Sequence, residues 1–232
     1  MENCFFLPLN KPNRKEQIMA KIHIARRTFL GQSAGIIAGL WTVNAFSAEE
    51  AKKKADWTPL FNGKDLSGWK AEGNAVWKVE DGCIVGVQGP NGAAGDLFTD
   101  KDYADYEVRV TYKIQWPANS GIWFRYQNPD KSYQADILEY KNPECYSGTI
   151  YCPGKMFLSM NTDKSLEKKD DWNTMTILAK GDHLVVSLNG KQVGDVHENS
   201  FTTGKIGFQI HPGDEFNKMK ITVKEVMIRL LS

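Results

Sequence analysis

The sequence predicts an all-β chain folded as one sandwich of antiparallel sheets, and three observations carry that expectation. From Trp57 onward, short runs alternate apolar and polar residues, the two-residue period of a half-buried strand. Glycine, asparagine and aspartate punctuate these runs about every ten residues, giving roughly ten to a dozen strands. No stretch carries a long amphipathic helix, and no proline-rich linker divides the chain. With 232 residues there is enough apolar material for one large β domain with a real core.

The elements follow in order. "YEVRVTYKI" sets Tyr106, Val108, Val110, Tyr112 and Ile114 on one face of a strand and Glu107, Arg109, Thr111 and Lys113 on the other. "GIWFRYQ" sets Ile122, Phe124 and Tyr126 against Trp123 and Arg125, and "SYQADILEYKNPE" sets Tyr133, Ala135 and Ile137 against Gln134, Asp136 and Leu138. "NTMTILAKGDHLVVSLNGKQVGDV" reads as strand, turn at Gly181 and Asp182, strand, and a tight hairpin at Asn189-Gly190, a dipeptide suited to positive φ. In "GKIGFQIHPGDEF", Ile206, Phe208 and Ile210 form an apolar face, while Gln209 and His211 share the other with Gly207.

The first 48 residues have a different composition. Arg26 and Arg27 precede "TFLGQSAGIIAGLWTV", a weakly apolar run broken by glycines and small polar residues. The pattern resembles a twin-arginine export signal followed by a small-residue cleavage region at Ala45 to Ala48. Residues 49–232 are then the single mature domain, exported to the periplasm or beyond. A membrane anchor is the competing reading, but a run this short and glycine-rich is a poor spanning helix, which needs about 20 apolar residues. Met19 as the start would put the arginines at an ordinary distance from the terminus.

Lysine plus arginine nearly balance aspartate plus glutamate, for a formal charge of +1, so no global field draws the chain toward nucleic acid or an anionic bilayer. Of the cysteines after residue 48, Cys145 and Cys152 are close enough in sequence to clip "CYSGTIYC" in an oxidising compartment, or they are buried thiols like Cys83; the spacing leaves both open. No paired CxxC spacing points to a structural metal.

A half-buried sheet hides one face and shows the other, so the polar faces are where chemistry is expected. Gln209, His211, Gln134, Asp136, Trp123 and Arg125 all fall on the non-core parity. Glu139 has the opposite parity, and only a bulge could turn it to join them. The even-spaced neighbours of Asp136 are Gln134 and Leu138, so the strand lacks the carboxylate pair of an ordinary jelly-roll glycosidase. Each residue also has a plainer role open to it: His211 as a loop residue making one hydrogen bond, Asp136 as a solvated surface acid, Arg125 as its ion-pair partner, Trp123 as packing.

Seven blocks, "LFNGKDLSGWK", "WKVEDGCIV", "GDLFTDKDYADYEVRVTYKI", "NSGIWFRY", "YQADILE", "DWNTMTILAKGDHLVVSLNGKQV" and "GKIGFQIHPGDEF", resemble in order the successive blocks of the DUF1080 family. That family is described as the 3-keto-disaccharide hydrolase, or 3-keto-glucoside 1,2-lyase and 3-keto-2-hydroxy-glucal hydratase, domain. The resemblance implies a concanavalin A-like jelly roll of two curved antiparallel sheets with a saccharide site on the concave sheet. It also implies elimination across C1 and C2 of a 3-keto-glucoside, then hydration, with a separate oxidoreductase making the ketone. Two departures are visible: where the family commonly reads tyrosine, glutamate, an apolar residue and glutamine, this chain has Tyr133, Gln134, Ala135 and Asp136, and the loop bearing Cys145 and Cys152 lacks the usual wording of that region.

On that chemistry His211 is expected as base or acid, Asp136 as base or as the group orienting His211, and Arg125 as the holder of the enolate oxygen. Gln209, Gln134, Trp123 and Glu139 are expected to contact substrate. A divalent ion bridging the ketone and its neighbouring hydroxyl would assist as a Lewis acid, with His211, Asp136, Glu139 and Glu144 as the available ligands. A carbohydrate-binding module that does no chemistry and a conventional glycoside hydrolase are the alternatives.

Overall fold

The computed structural model describes residues 57–231; the expected leader, its cleavage region and the boundary at residue 48 lie outside them. Among the described residues fifteen strands form two sheets, all pairings antiparallel. One sheet runs β13 (Lys191–His197), β12 (His183–Leu188), β11 (Asn173–Lys180), β6 (Tyr106–Ile114), β15 (Lys220–Leu230), β4 (Cys83–Val87), β3 (Val76–Glu80), with β1 (Thr58–Pro59) added on β15. The other runs β10 (Met156–Asn161), β9 (Glu144–Cys152), β8 (Lys131–Lys141), β7 (Asn119–Asn128), β14 (Lys205–Ile210), β5 (Gly95–Thr99), β2 (Trp69–Gly73). This is the jelly-roll sandwich. The strands beyond a dozen are short pieces such as β1, too brief for alternation to reveal. No helix among the described residues is long and apolar enough to cross a membrane.

The period of two is realised closely where it matters. In β6 every residue from Tyr106 to Ile114 alternates between buried and half-buried, and Ile206, Phe208 and Ile210 of β14 are wholly inaccessible. They meet Val108, Val110, Ile122, Phe124, Tyr133, Ala135 and Ile137 in one continuous core. Burying a side chain of this size contributes about 1.5–3 kcal/mol, so register is strongly specified: a one-residue slip would turn each of these into solvent. The hairpin between β12 and β13 turns at Asn189 (φ 51°) and Gly190 (φ 85°), both left-handed, as the tight hairpin requires.

Topology decides which outward-facing residues become neighbours. Strands β7 to β10 follow one another as a meander, and β11 to β13 do the same in the opposite sheet. The chain then crosses back, and β14 inserts between β7 and β5. That insertion lays residues 205–210 beside a strand some eighty positions earlier.

Alternation fails in β7, and the failure is informative. The β7–β14 and β7–β8 registers both shift after Phe124, and Arg125 has φ 50°, so one residue of β7 is bulged out of the ladder. Tyr126 consequently joins Trp123 on the outer face, stacking on Phe98 at 3.9 Å and lying 5.6 Å from Trp123. Arg125 turns inward and is completely buried. Its guanidinium donates to the carbonyl oxygens of Ala104 (3.1 and 3.2 Å), Gly181 (2.7 Å) and Phe201 (3.2 Å), and pairs with Asp105 at 3.1 Å. Because Gly181 lies in the β11–β12 turn, this one side chain ties the end of the outer sheet to the other. Arg125 was expected beside Asp136; it is instead the clasp at the end of the sandwich, and Tyr126 takes the outer place that parity had assigned to it.

Candidate functional site

The outer face of the seven-stranded sheet holds a hollow of about 420 Å³. Its floor can be read from the register as two rows of side chains. In the first, Asp96 of β5 lies opposite Gln209 of β14, continuing the Phe208–Ile122 pairing brings Gln209 level with Gly121 of β7, and Gly121 lies opposite Asp136 of β8. In the second, Phe98, Gly207, Trp123, Gln134 and Tyr151 follow in the same way across β5, β14, β7, β8 and β9. Residues two apart on a strand share a face, so both rows look out together. Glycine at 121 is required: a Cβ there would come within 2.5 Å of the Gln134 side chain, which lies over it.

Five of the residues expected from sequence meet here. Asp136, Gln134, Gln209, Trp123 and His211 all line the hollow. The polar face is not a solvated one, however. Asp136 is only 2% exposed and Gln134 only 4%, since Trp123, Leu138, Tyr151 and Phe157 wall them in. Burial alone drives the Asp136 carboxyl well above the usual carboxylate range. No hydrogen bond or ion pair from the described residues reaches that carboxyl, and the Gln134 amide nitrogen is likewise buried without a partner. Leaving such groups unsatisfied is costly in a folded protein, about 1–3 kcal/mol each, and their common direction is the hollow.

His211 follows β14 by one residue and keeps the parity of Gln209. Its Nδ1 lies 2.6 Å from the Pro212 carbonyl oxygen. A carbonyl can only accept, so Nδ1 carries the proton and Nε2 is left to exchange one. Gln88 pins the loop by donating to the carbonyls of His211 (2.9 Å) and Gly213 (3.0 Å), and Phe216 meets the imidazole edge-on at 5.7 Å.

Sequence reasoning missed Asp96. Its Oδ1 accepts a hydrogen bond from the Trp123 indole at 2.8 Å, which leaves Oδ2 uncommitted. Partial burial raises its pKa to about 6, the Trp123 bond opposes that rise, and Glu72 across the β2–β5 pair adds to it. The parity signal was present, because Asp96 alternates with the wholly buried Leu97 in "GDLFT"; what no short stretch could reveal was that β5 would lie beside β14. Tyr126, Tyr151 and Asn119 also line the hollow and were unassigned for the same reason.

Two expectations are corrected besides Arg125. Glu139 does not reach this hollow: the β8–β9 register runs through it without a bulge, so it keeps the opposite parity and pairs with Lys169 (2.5 Å) and Lys164 (3.4 Å). The four candidate metal ligands are also divided. His211 and Asp136 line the first hollow, Glu139 and Glu144 a second, and no trio of His, Cys, Asp or Glu among the described residues is gathered to hold an ion. Cys145 and Cys152 are separate buried thiols. They stand at opposite ends of β9, roughly 20 Å apart by strand rise, far beyond the ~7 Å that a disulfide can span.

Comparison with known proteins places this geometry. A 3-keto-disaccharide hydrolase of Bacteroides thetaiotaomicron is 32% identical over 92 residues, 34% of this chain and 31% of that protein, so the match spans about a third of the relative's length. Among solved structures, a candidate glycosyl hydrolase from Parabacteroides distasonis superposes with a TM-score of 0.60 at 24% identity, covering 79% of this chain and 97% of its own. A Bacillus subtilis protein of unknown function with a galectin-like fold gives 0.57 at 15% identity, covering 75% and 94%. These two establish the shared sandwich. Residues 56–229 match the family profile described as the 3-keto-alpha-glucoside-1,2-lyase-like domain, and the chain belongs to that family.

Proposed function

We propose that the hollow cleaves 3-keto-glucosides by elimination across C1 and C2 followed by hydration, a net hydrolysis. The observation that carries this reading is the presence in one cavity of two carboxyls with separated proton affinities. Asp136, buried and unpartnered, is pushed toward its neutral form, while Asp96, with a pKa of about 6, is mostly ionised near pH 7. Pairs of titratable groups whose environments push them apart carry the acid and base roles.

The roles follow. A ketone at C3 acidifies the C2 hydrogen because the resulting charge spreads onto the ketone oxygen. Asp96 Oδ2 takes that proton, and the C2–H electrons become the C2–C3 enolate bond. The neutral Asp136 carboxyl donates a hydrogen bond to the enolate oxygen, the function expected of Arg125 from sequence. The enolate then re-forms the ketone, the C1–O bond breaks, and protonated His211 delivers a proton from Nε2 to the leaving oxygen. Water adds at C1 of the enone, giving up a proton to His211, while Asp96 returns its proton to C2. Gln134 and Gln209 offer amides to the sugar hydroxyls, and Trp123 an apolar face. The substrate requires a sugar 3-oxidoreductase upstream, and the leader-like segment agrees with an exported enzyme.

The register argues against double displacement. The even-spaced neighbours of Asp136 on β8 are Gln134 and Leu138, so that strand carries no second carboxyl at the roughly 5 Å that a nucleophile and acid flanking one bond need. The test is incubation of the purified protein with 3-keto-trehalose, 3-keto-cellobiose and their unoxidised parents. Enone absorbance and release of the second sugar from the keto forms alone, lost in His211→Ala and Asp136→Ala, is the expected result. Binding without turnover would leave a carbohydrate-binding module, and cleavage of the parents would leave a conventional hydrolase.

A further inference from the structure

We propose that a second hollow beside the first is the subsite for the leaving unit, and that it selects a neutral, ring-shaped aglycone. The inference rests on the elimination reading above and adds where the departing group goes. The second hollow has about 440 Å³, nearly the volume of the first. It forms where the β6–β7 loop, the β8–β9 hairpin and the loop after β14 converge, and Trp116, Tyr140, Tyr146 and Phe216 supply its aromatic surface.

Two connections join the hollows. Tyr140 lines both; it follows Asp136 and Leu138 on the outer parity of β8 and is braced edge-on by Phe157 of the first hollow at 5.4 Å. Phe216 lines the second and packs against His211, which lines the first. The imidazole that delivers a proton to the leaving oxygen is therefore at the boundary between the two spaces, where the bond being broken must lie if each space holds one ring.

The chemistry of the lining sets the class of ligand. Among its charged residues, Glu139 and Glu144 are offset by Lys141 and Lys164, so neither a phosphate nor a uronate is favoured. Lys169 and Lys164 lie over the rings of Trp116 and Tyr146 at 4.8 and 5.7 Å. This leaves exposed Tyr140 and Phe216 as the platforms on which an apolar sugar or aryl face can stack.

The test compares 3-keto-trehalose and 3-keto-cellobiose with the methyl 3-keto-α- and β-glucosides, whose methyl group cannot fill a second hollow. Wild-type protein should have kcat/KM at least tenfold higher on the disaccharide of the preferred anomer. Glu144→Trp puts a large side chain at an exposed position, so the fold is retained while the hollow is blocked. It should remove that advantage while changing the methyl substrate by less than twofold. Tyr140→Ala should lower the disaccharide more than the methyl glucoside. Equal rates on both substrates in wild type, or an equal loss on both in Glu144→Trp, overturns the proposal.

If no keto substrate turns over, the elimination reading has failed, and calorimetric titration with trehalose, cellobiose and glucose judges the subsite alone. Tighter disaccharide binding that disappears in Glu144→Trp upholds it, and equal binding of mono- and disaccharide rejects it.

Discussion

Replacing Asp96 by asparagine should make the protein more stable and less active, and pH separates the two effects. The carboxyl titrates at about 6 in the folded chain against 3.8 unperturbed. One pKa unit corresponds to about 1.4 kcal/mol, so ionising Asp96 in place costs about 3 kcal/mol more than ionising it in the unfolded chain. The sign follows from proton linkage: between pH 3.8 and about 6 the folded state holds the extra proton, so stability falls as pH rises through that window and the loss is complete above it. Asparagine keeps an oxygen for the Trp123 indole and never ionises. The variant should match wild type near pH 3.5 and exceed it by about 3 kcal/mol at pH 8, or roughly 6–12 °C in Tm for a domain of this size. Urea denaturation of both proteins from pH 3.5 to 8 measures this, and titrating groups that do not interact with Asp96 cancel in the difference. A pH-independent offset would refute the claim that burial raises this carboxyl. Stabilisation without loss of turnover would refute its role as base.

Asp136→Asn, which retains a neutral hydrogen-bond donor, should keep more turnover than Asp136→Ala; equal loss would mean that Asp136 transfers its proton outright rather than holding the enolate oxygen. Trp123→Phe removes the bond that opposes the rise in Asp96, so the acidic limb of the rate profile should move above pH 6. Arg125→Ala strands the carbonyls of Ala104, Gly181 and Phe201 and should cost about 3–5 kcal/mol in chemical denaturation with KM unchanged, whereas a catalytic arginine would lose rate without losing stability. Thiol titration of unfolded protein should give the same count with and without prior reduction, because Cys145 and Cys152 are unpaired.

Local alternation was enough to foresee the sandwich, and the reason is energetic. Ile206, Phe208 and Ile210 cannot face water without forfeiting several kcal/mol, so a reader who marks the apolar parity of β14 has also marked the direction of Gln209 and His211. The same inference succeeded for Gln134 and Asp136 on β8 and for every residue of β6. It failed at Arg125 because a bulge costs one residue of register and leaves little trace in composition. The residue carries no glycine to announce its positive φ, and the backbone carbonyls that hold it come from three separate loops.

The site was only half legible because half of it is made by strand order. Asp136 and His211 could be nominated singly, yet Asp96 becomes a partner of Gln209 only once β14 has crossed from the other sheet to lie against β5. Burial was likewise invisible. An aspartate on a polar parity is ordinarily a solvated acid, and it is the wall formed by Trp123 on β7, Tyr151 on β9 and Phe157 on β10 that raises the Asp136 carboxyl well above the usual range. What would differentiate two carboxyls of the same kind into the acid and base of the proposed mechanism is therefore a property of neighbouring strands. The exchange of acid and amide between positions 134 and 136, seen against the family's usual wording, has a structural consequence in these terms. It moves the carboxyl one row along the sheet, from the level of Trp123 to the level of Asp96 and Gln209, and leaves an amide over Gly121. Restoring the common order with Gln134→Glu and Asp136→Gln together would put the acid back beside Trp123, and the reaction should tolerate that double change better than either single one if both rows face the same sugar.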